Sequence, residues 1–98
     1  MVRILAVVAA VAVVVAPAAA ANCKPGLRYC GYVLIQTGLY YDQIVEALEK
    51  VGSPVDADHV LQSLFFCDGG KHGDIHQIEY CSNICRNGGA NNNDYCKA

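Results

Sequence analysis

The stretch "LFFCDGGKHGDIHQIEYC", residues 64–81, decides the fold of this chain. Within eighteen residues it holds two cysteines, two histidines, three acids and three glycines. On either side of "GGKHG" lie runs rich in Phe, Ile, Tyr and Cys, which predict strands over residues 63–68 and 74–82. Glycines at both ends of the five-residue loop suit the positive backbone angles of a hairpin. A β-hairpin at 63–82 is therefore the expected centre of the domain.

Working outward, "YYDQIVEALEKVG" places Tyr41, Ile44, Val45, Leu48 and Val51 at helical spacing, a stripe expected to face the core. Asp42 suits the positive end of that helix and Lys50 the negative end. Glu46 and Lys50 stand one turn apart and are able to pair. Gly52 followed by Ser53-Pro54 stops the helix. The apolar run Tyr32–Ile35, ended by Gly38, predicts a second short helix, and residues 55–62 a loop or a single helical turn. The expected fold class is a small α+β domain, one or two helices packed on an antiparallel β-sheet centred on the hairpin. Phe65 or Phe66, Ile78 and Tyr80 are expected to complete the core with the helical stripe, leaving Tyr29, Tyr40 and Tyr95 outside.

Residues 1–21 read as a secretory signal peptide: Arg3 at the start, an apolar run from Ile4 to Ala16, then Pro17 and small residues with an exit after Ala20 or Ala21. The run is shorter than the ~20 residues a membrane span requires. The expectation is a single secreted, extracellular domain over residues 22–98 with no membrane association after processing. Removing Arg3 from the seven basic residues leaves six against nine acids, a net charge of −3. That balance gives no reason to expect nucleic acid as a partner.

All six cysteines (Cys23, Cys30, Cys67, Cys81, Cys85 and Cys96) fall in residues 22–98. An even number in a small exported chain reads as three disulfides, with about 15 pairings open from sequence alone. The alternative is zinc, with Cys81 and Cys85 joined by His72 or His76, but export through an oxidising route favours cystines. No metal or other cofactor is expected.

Acid/base chemistry needs a histidine with a carboxylate in reach. Strict alternation along the second strand puts Asp74, His76, Ile78 and Tyr80 on one face and Ile75, Gln77, Glu79 and Cys81 on the other. Asp74 and His76 form the remaining candidate pair, while Glu79 points away. His72 is expected at a solvated loop tip and His59 in a local hydrogen bond. No nucleophile elbow, H-E-x-x-H or phosphate-binding glycine loop occurs, so no catalytic residue is assigned. A small nuclease or hydrolase would require Asp74, His76 and a further acid or base to converge on a cleft. A membrane-active toxin would favour a cationic surface, which this acidic domain lacks. No N-x-S/T sequon occurs in residues 22–98.

The segments "CKPGLRYCGYVLIQTG", "YYDQI", "SLFFC", "GDIHQIEYC" and "NGG…DYC" resemble the small secreted cysteine-rich proteins of filamentous ascomycete fungi. The resemblance runs from Cys23 to Cys96 and includes all six cysteines. It implies extracellular delivery and an effector-type role, in which a monomeric, non-enzymatic protein binds an unknown host or extracellular protein. It transfers no catalytic residue. Some cysteine-rich effectors are similar to fungal killer toxins, with helices over an antiparallel sheet, an architecture compatible with the elements predicted here.

Overall fold

The computed structural model describes residues 22–98; the expected signal peptide over 1–21 lies outside the described residues. Strand β1 (Arg28–Cys30) runs directly into helix α1 (Gly31–Thr37), followed by α2 (Tyr41–Lys50) and α3 (Ala57–Gln62). The hairpin strands β2 (Ser63–Gly69) and β3 (Asp74–Tyr80) come next, then the short pair β4 (Cys85–Arg86) and β5 (Tyr95–Cys96). The main sheet is antiparallel in the order β1-β2-β3, with β2 in the middle, and β4 pairs antiparallel with β5. The protein is a small disulfide-stapled α+β domain, as the hairpin and amphipathic helix predict.

The hairpin forms where expected, with β3 ending at Tyr80 rather than at Ser82. Gly69, Gly70 and Gly73 all adopt positive φ in its loop, a conformation that costs glycine nothing. Helix α1 ends at Thr37, and the Gly38 N–H donates to the Leu34 carbonyl at 3.1 Å. The segment expected to be a loop or one turn is a third helix, α3. Asp56 caps it by accepting the His59 N–H at 2.8 Å, a local bond that Asp side chains favour at helix starts. Helices α1 and α3 pack closely at Gly31, where any Cβ would collide with the Val60 carbonyl.

The core corrects the predicted stripe by one residue. Tyr40, expected outside, is 2% exposed, and Tyr41, expected inside, is 55% exposed. Tyr40 occupies the N-cap position, one turn below Ile44. The buried set is therefore Tyr40, Ile44, Ala47 and Leu48, which keeps the helical period but begins earlier. Val51 is solvent-exposed, and Tyr29 is half-buried against the core rather than outside it. Tyr95 is exposed as expected. The Glu46 and Lys50 side chains form no ion pair.

Strand alternation is broken by a bulge. Leu64 pairs with Glu79 but Phe65 pairs with Gln77, so Ile78 is an extra residue on β3. An inserted residue shifts every later side chain relative to strict alternation. Up to Ile78 the alternation holds, and Ile78 shares the exposed face of Asp74 and His76 rather than the core face; Ile75, opposite Cys67, packs in the core instead, and the bulge changes the facing only of Glu79 and Tyr80. Phe65 is fully buried, Phe66 half-buried, and Tyr80 lies half-buried against α3 rather than inside the core.

The six cysteines pair as Cys23–Cys67, Cys30–Cys85 and Cys81–Cys96. The first bond joins the N-terminal arm to the central strand; the other two hold the C-terminal tail. A second small cluster, Cys30, Leu64, Cys81 and Cys85, is formed largely of these cystines.

The Tyr40 hydroxyl ties α2 to the arm and to the hairpin loop. It donates to the Gly73 carbonyl at 2.7 Å and accepts the Cys23 N–H at 3.0 Å. Burial pushes its pKa up, so it remains a neutral hydrogen-bonding group. Tyr40→Phe leaves both backbone partners buried and unpaired, a loss of about 1–3 kcal/mol in urea unfolding. A change within about 0.5 kcal/mol of wild type would contradict this role.

Candidate functional site

An open cleft of about 480 Å³ lies where α2 faces the edge strand β3. One wall is α2, with Gln43, Glu46, Ala47, Lys50 and Val51; the other is the hairpin, with Asp68, Asp74, Ile75 and His76. Gln43 links the walls, its Nε2 donating to the His72 carbonyl at 3.1 Å. The cleft exists because α2 packs against the hairpin only through Ala47 and the residues below it, leaving the polar flank of the helix open.

The expected Asp74–His76 pair does not form. His76 Nδ1 instead bonds Asp68 Oδ2 at 2.9 Å, across the hairpin. The physical reason is a second bulge: Cys67 pairs with Ile75 and Gly69 with Asp74, so Asp68 is the extra residue on β2. A bulge re-aims the inserted side chain, here toward His76. The His76 ring also packs on Phe66, its cross-strand partner, with centroids 5.5 Å apart. Asp74 still lines the same cleft. The convergence of Asp74, His76 and a further acid on one cleft is thus present, with Asp68 as the partner and Glu46 on the facing wall.

The electrostatics of the cleft follow from its members. Three carboxylates (Glu46, Asp68 and Asp74) face one ammonium, Lys50, beside the His76–Asp68 pair. Such a surface repels the phosphates of nucleic acid and attracts basic groups. Its apolar floor is small: Ala47, Ile75 and the edge of Val51. Of the remaining histidines, His72 is exposed in the hairpin loop as expected.

His59 makes the local hydrogen bond expected of it, but with Asp56 rather than with its neighbour Asp58. Its Nδ1 lies 2.7 Å from Asp56 Oδ1, and its ring stacks on Tyr80 with centroids 4.0 Å apart and planes 17° apart. Asp58 accepts the Tyr80 hydroxyl. This bond, above all, raises the Tyr80 pKa, because it stabilises the protonated phenol. The four side chains fasten α3 to β3.

The cysteines offer no metal site. Cys81 and Cys85, the zinc alternative, are bonded to Cys96 and Cys30, and among the described residues no group of three His, Cys, Asp or Glu converges as a metal would need. No helix among the described residues is long and apolar enough to cross a membrane. Three disulfides in so small a domain fit an extracellular protein.

One functional element lay outside the sequence reading. Asp94, in the Asn-rich tail, is 3% exposed and accepts N–H groups from Cys30 at 2.9 Å and Gly88 at 2.8 Å. A lone acid within "NNND" carries a weak signal, since Asp commonly bonds nearby backbone in turns. Comparison of the chain with protein-family models, curated proteins and solved structures finds no match.

Asp56 provides a pH test of the α3 cap. The His59 N–H, followed by the His59 ring, holds its carboxyl below the ordinary aspartate range. A depressed folded value means that the cap contributes fully above that range and is lost as the pH falls through the depressed value. The destabilisation caused by Asp56→Ala should therefore be greatest near about pH 7 and shrink toward about pH 2 in urea unfolding. A penalty that is equal at both ends would contradict the ionised cap.

Proposed function

We propose that the protein is a secreted, non-enzymatic binding protein of the effector type found among the cysteine-rich proteins of filamentous ascomycetes. It acts as a monomer on a host or extracellular protein. Support comes from the export-type N-terminus, the three disulfides and the resemblance of the segments between Cys23 and Cys96. The observation that carries the proposal is the acidic cleft between α2 and the hairpin. It sets a fixed, mixed-charge surface that includes exposed Val51, a composition suited to a basic protein segment rather than to an anionic one. The disulfides keep this surface ordered before contact, which lowers the entropic cost of binding.

A second activity is favoured by one observation: the Asp68–His76 pair lines that same cleft. An oriented histidine next to carboxylates is the minimum for general acid/base hydrolysis. The surplus of negative charge weighs against RNA as its substrate, because a phosphoryl transition state needs cationic stabilisation.

Two assays on the domain 22–98 separate these functions. Immobilised wild type should retain a specific protein from a host's extracellular fluid. The charge reversal Asp74→Lys should lose it, with about tenfold or greater weakening. RNA and ester substrates should show no turnover. Turnover that His76→Ala abolishes would overturn the binding role, as would retention of the same partner by Asp74→Lys at wild-type strength.

A further inference from the structure

We propose that a second groove, formed by the N-terminal arm, α1 and the C-terminal tail, binds an uncharged oligosaccharide. The groove has a volume of about 300 Å³, at the low end of small-ligand pockets. It lies away from the α2–hairpin cleft and shares no residue with it.

Its walls are fixed. The arm and tail are joined where the Arg28 N–H donates to Asn93 Oδ1 at 2.9 Å and the Asp94 N–H donates to the Arg28 carbonyl at 2.9 Å. The Cys30–Cys85 bond ties the same two segments covalently.

The charged groups of the groove already have partners. Asp94 is buried and accepts two backbone N–H groups. Lys24 Nζ donates to Asn91 Oδ1. An anionic ligand would find a single ammonium, Lys24, on a domain of net negative charge, and a cationic ligand no accessible carboxylate among the lining residues.

The amides supply the recognition chemistry. Each of four Asn side chains has one end held by a group whose hydrogen-bonding role is unambiguous, and this fixes which end faces outward. Asn87 Oδ1 accepts the Gly89 N–H at 2.8 Å, and Asn91 Oδ1 accepts from the Lys24 ammonium. Both therefore retain NH₂ donors. Asn22 Nδ2 donates to the Lys71 carbonyl at 3.1 Å, and Asn92 Nδ2 donates to the Gly88 carbonyl at 3.2 Å. Both retain carbonyl acceptors. Those four outer ends make no hydrogen bond to another described residue. Tyr29 adds a fifth group: its hydroxyl accepts the Lys24 N–H at 2.8 Å, leaving its own proton to donate.

The result is a set of pre-oriented donors and acceptors around a half-buried aromatic side chain, with the Lys24 ammonium as the one exposed charge among the lining residues. A sugar hydroxyl both donates and accepts, and a sugar ring offers an apolar C–H face for packing on an aromatic ring. Donors and acceptors already held in place lose little freedom on binding. A polyhydroxylated ligand satisfies both kinds of group, whereas a phosphate or carboxylate, which only accepts, leaves the Asn22 and Asn92 carbonyls unpaired, and an ammonium, which only donates, leaves the Asn87 and Asn91 NH₂ groups unpaired.

The test is an NMR titration of the ¹⁵N-labelled domain with neutral hexasaccharides of glucose, xylose, mannose and N-acetylglucosamine, each to about 10 mM. At least one should shift the amide signals of Tyr29, Asn87, Asn91 and Asn92 saturably, while hexagalacturonate, a polyanion that the acidic domain repels, should not. The double variant Asn87→Ala/Asn91→Gly should weaken that binding about tenfold or more with an unchanged melting temperature. Glycine is chosen because Asn91 has φ 65°, which glycine adopts freely. If this variant fails to fold, Tyr29→Phe, which keeps the ring and removes the hydroxyl, should weaken binding instead. The proposal is overturned if no neutral hexamer shifts these signals, if the shifts map to the α2–hairpin cleft, if hexagalacturonate binds equally, or if the folded variant binds like wild type. Because the two sites share no residue, failure here leaves the protein-binding proposal standing, and the reverse also holds.

Discussion

The Cys30–Cys85 disulfide is the constraint on which the C-terminal tail of the molecule depends. The tail after Tyr80 buries almost nothing apolar except its cysteines, with Ile84 and Tyr95 both solvent-exposed. Hydrophobic burial alone therefore gives it no reason to stay against the sheet. Cys30 and Cys85 are both essentially inaccessible to water, and around their bond a polar network closes. The Cys85 N–H donates to Gln62 Oε1 at 2.7 Å, and the Tyr32 hydroxyl donates to the Cys85 carbonyl at 3.0 Å. Asp94 then takes the Cys30 N–H. In a domain of this size, where a core seldom supplies more than about 3–5 kcal/mol, a cystine adding about 2–4 kcal/mol decides whether the tail is ordered.

The other two bonds divide the work. Cys23–Cys67 lies within the main core beside Tyr40, joining the arm to the central strand, while Cys81–Cys96 closes the tail on itself next to the β4–β5 ladder. The two surfaces follow from this division. The acidic cleft is bounded by regular elements, α2 and β3, whose packing would persist without the tail. The amide-lined groove is bounded on one side by the irregular C-terminal tail, so its geometry depends on covalent ties and on Asp94.

Much of the fold was legible because it rests on local chemistry. Glycines at both ends of "GGKHG" specify a hairpin, and the period of residues 41–50 specifies a helix whatever surrounds it. The errors have specific causes. The sequence has tyrosine at both 40 and 41, and periodicity cannot say which one the helix start turns inward; contacts of Tyr40 with Cys23 and Gly73, distant in sequence, decide it. Ile78 was misplaced because alternation groups residues by face without saying which face is buried. The bulge at Asp68, which leaves no mark in an alternating pattern, is why His76 meets Asp68 instead of Asp74. The sequence thus put His76 next to a carboxylate, but not the one it bonds. The Cys30–Cys85 pairing and the Asp94 contact with Cys30 were illegible for a common reason: both join segments more than fifty residues apart, and spacing carries no record of such contacts.

The most direct measurement is peptide mapping of the oxidised protein under non-reducing conditions, with cleavage between Cys81 and Cys85 so that their partners are resolved. The predicted result is three linked peptides, Cys23–Cys67, Cys30–Cys85 and Cys81–Cys96, with no free thiol. A Cys85–Cys96 or Cys81–Cys85 link, or any thiol open to alkylation before reduction, would contradict the framework that holds the tail in place.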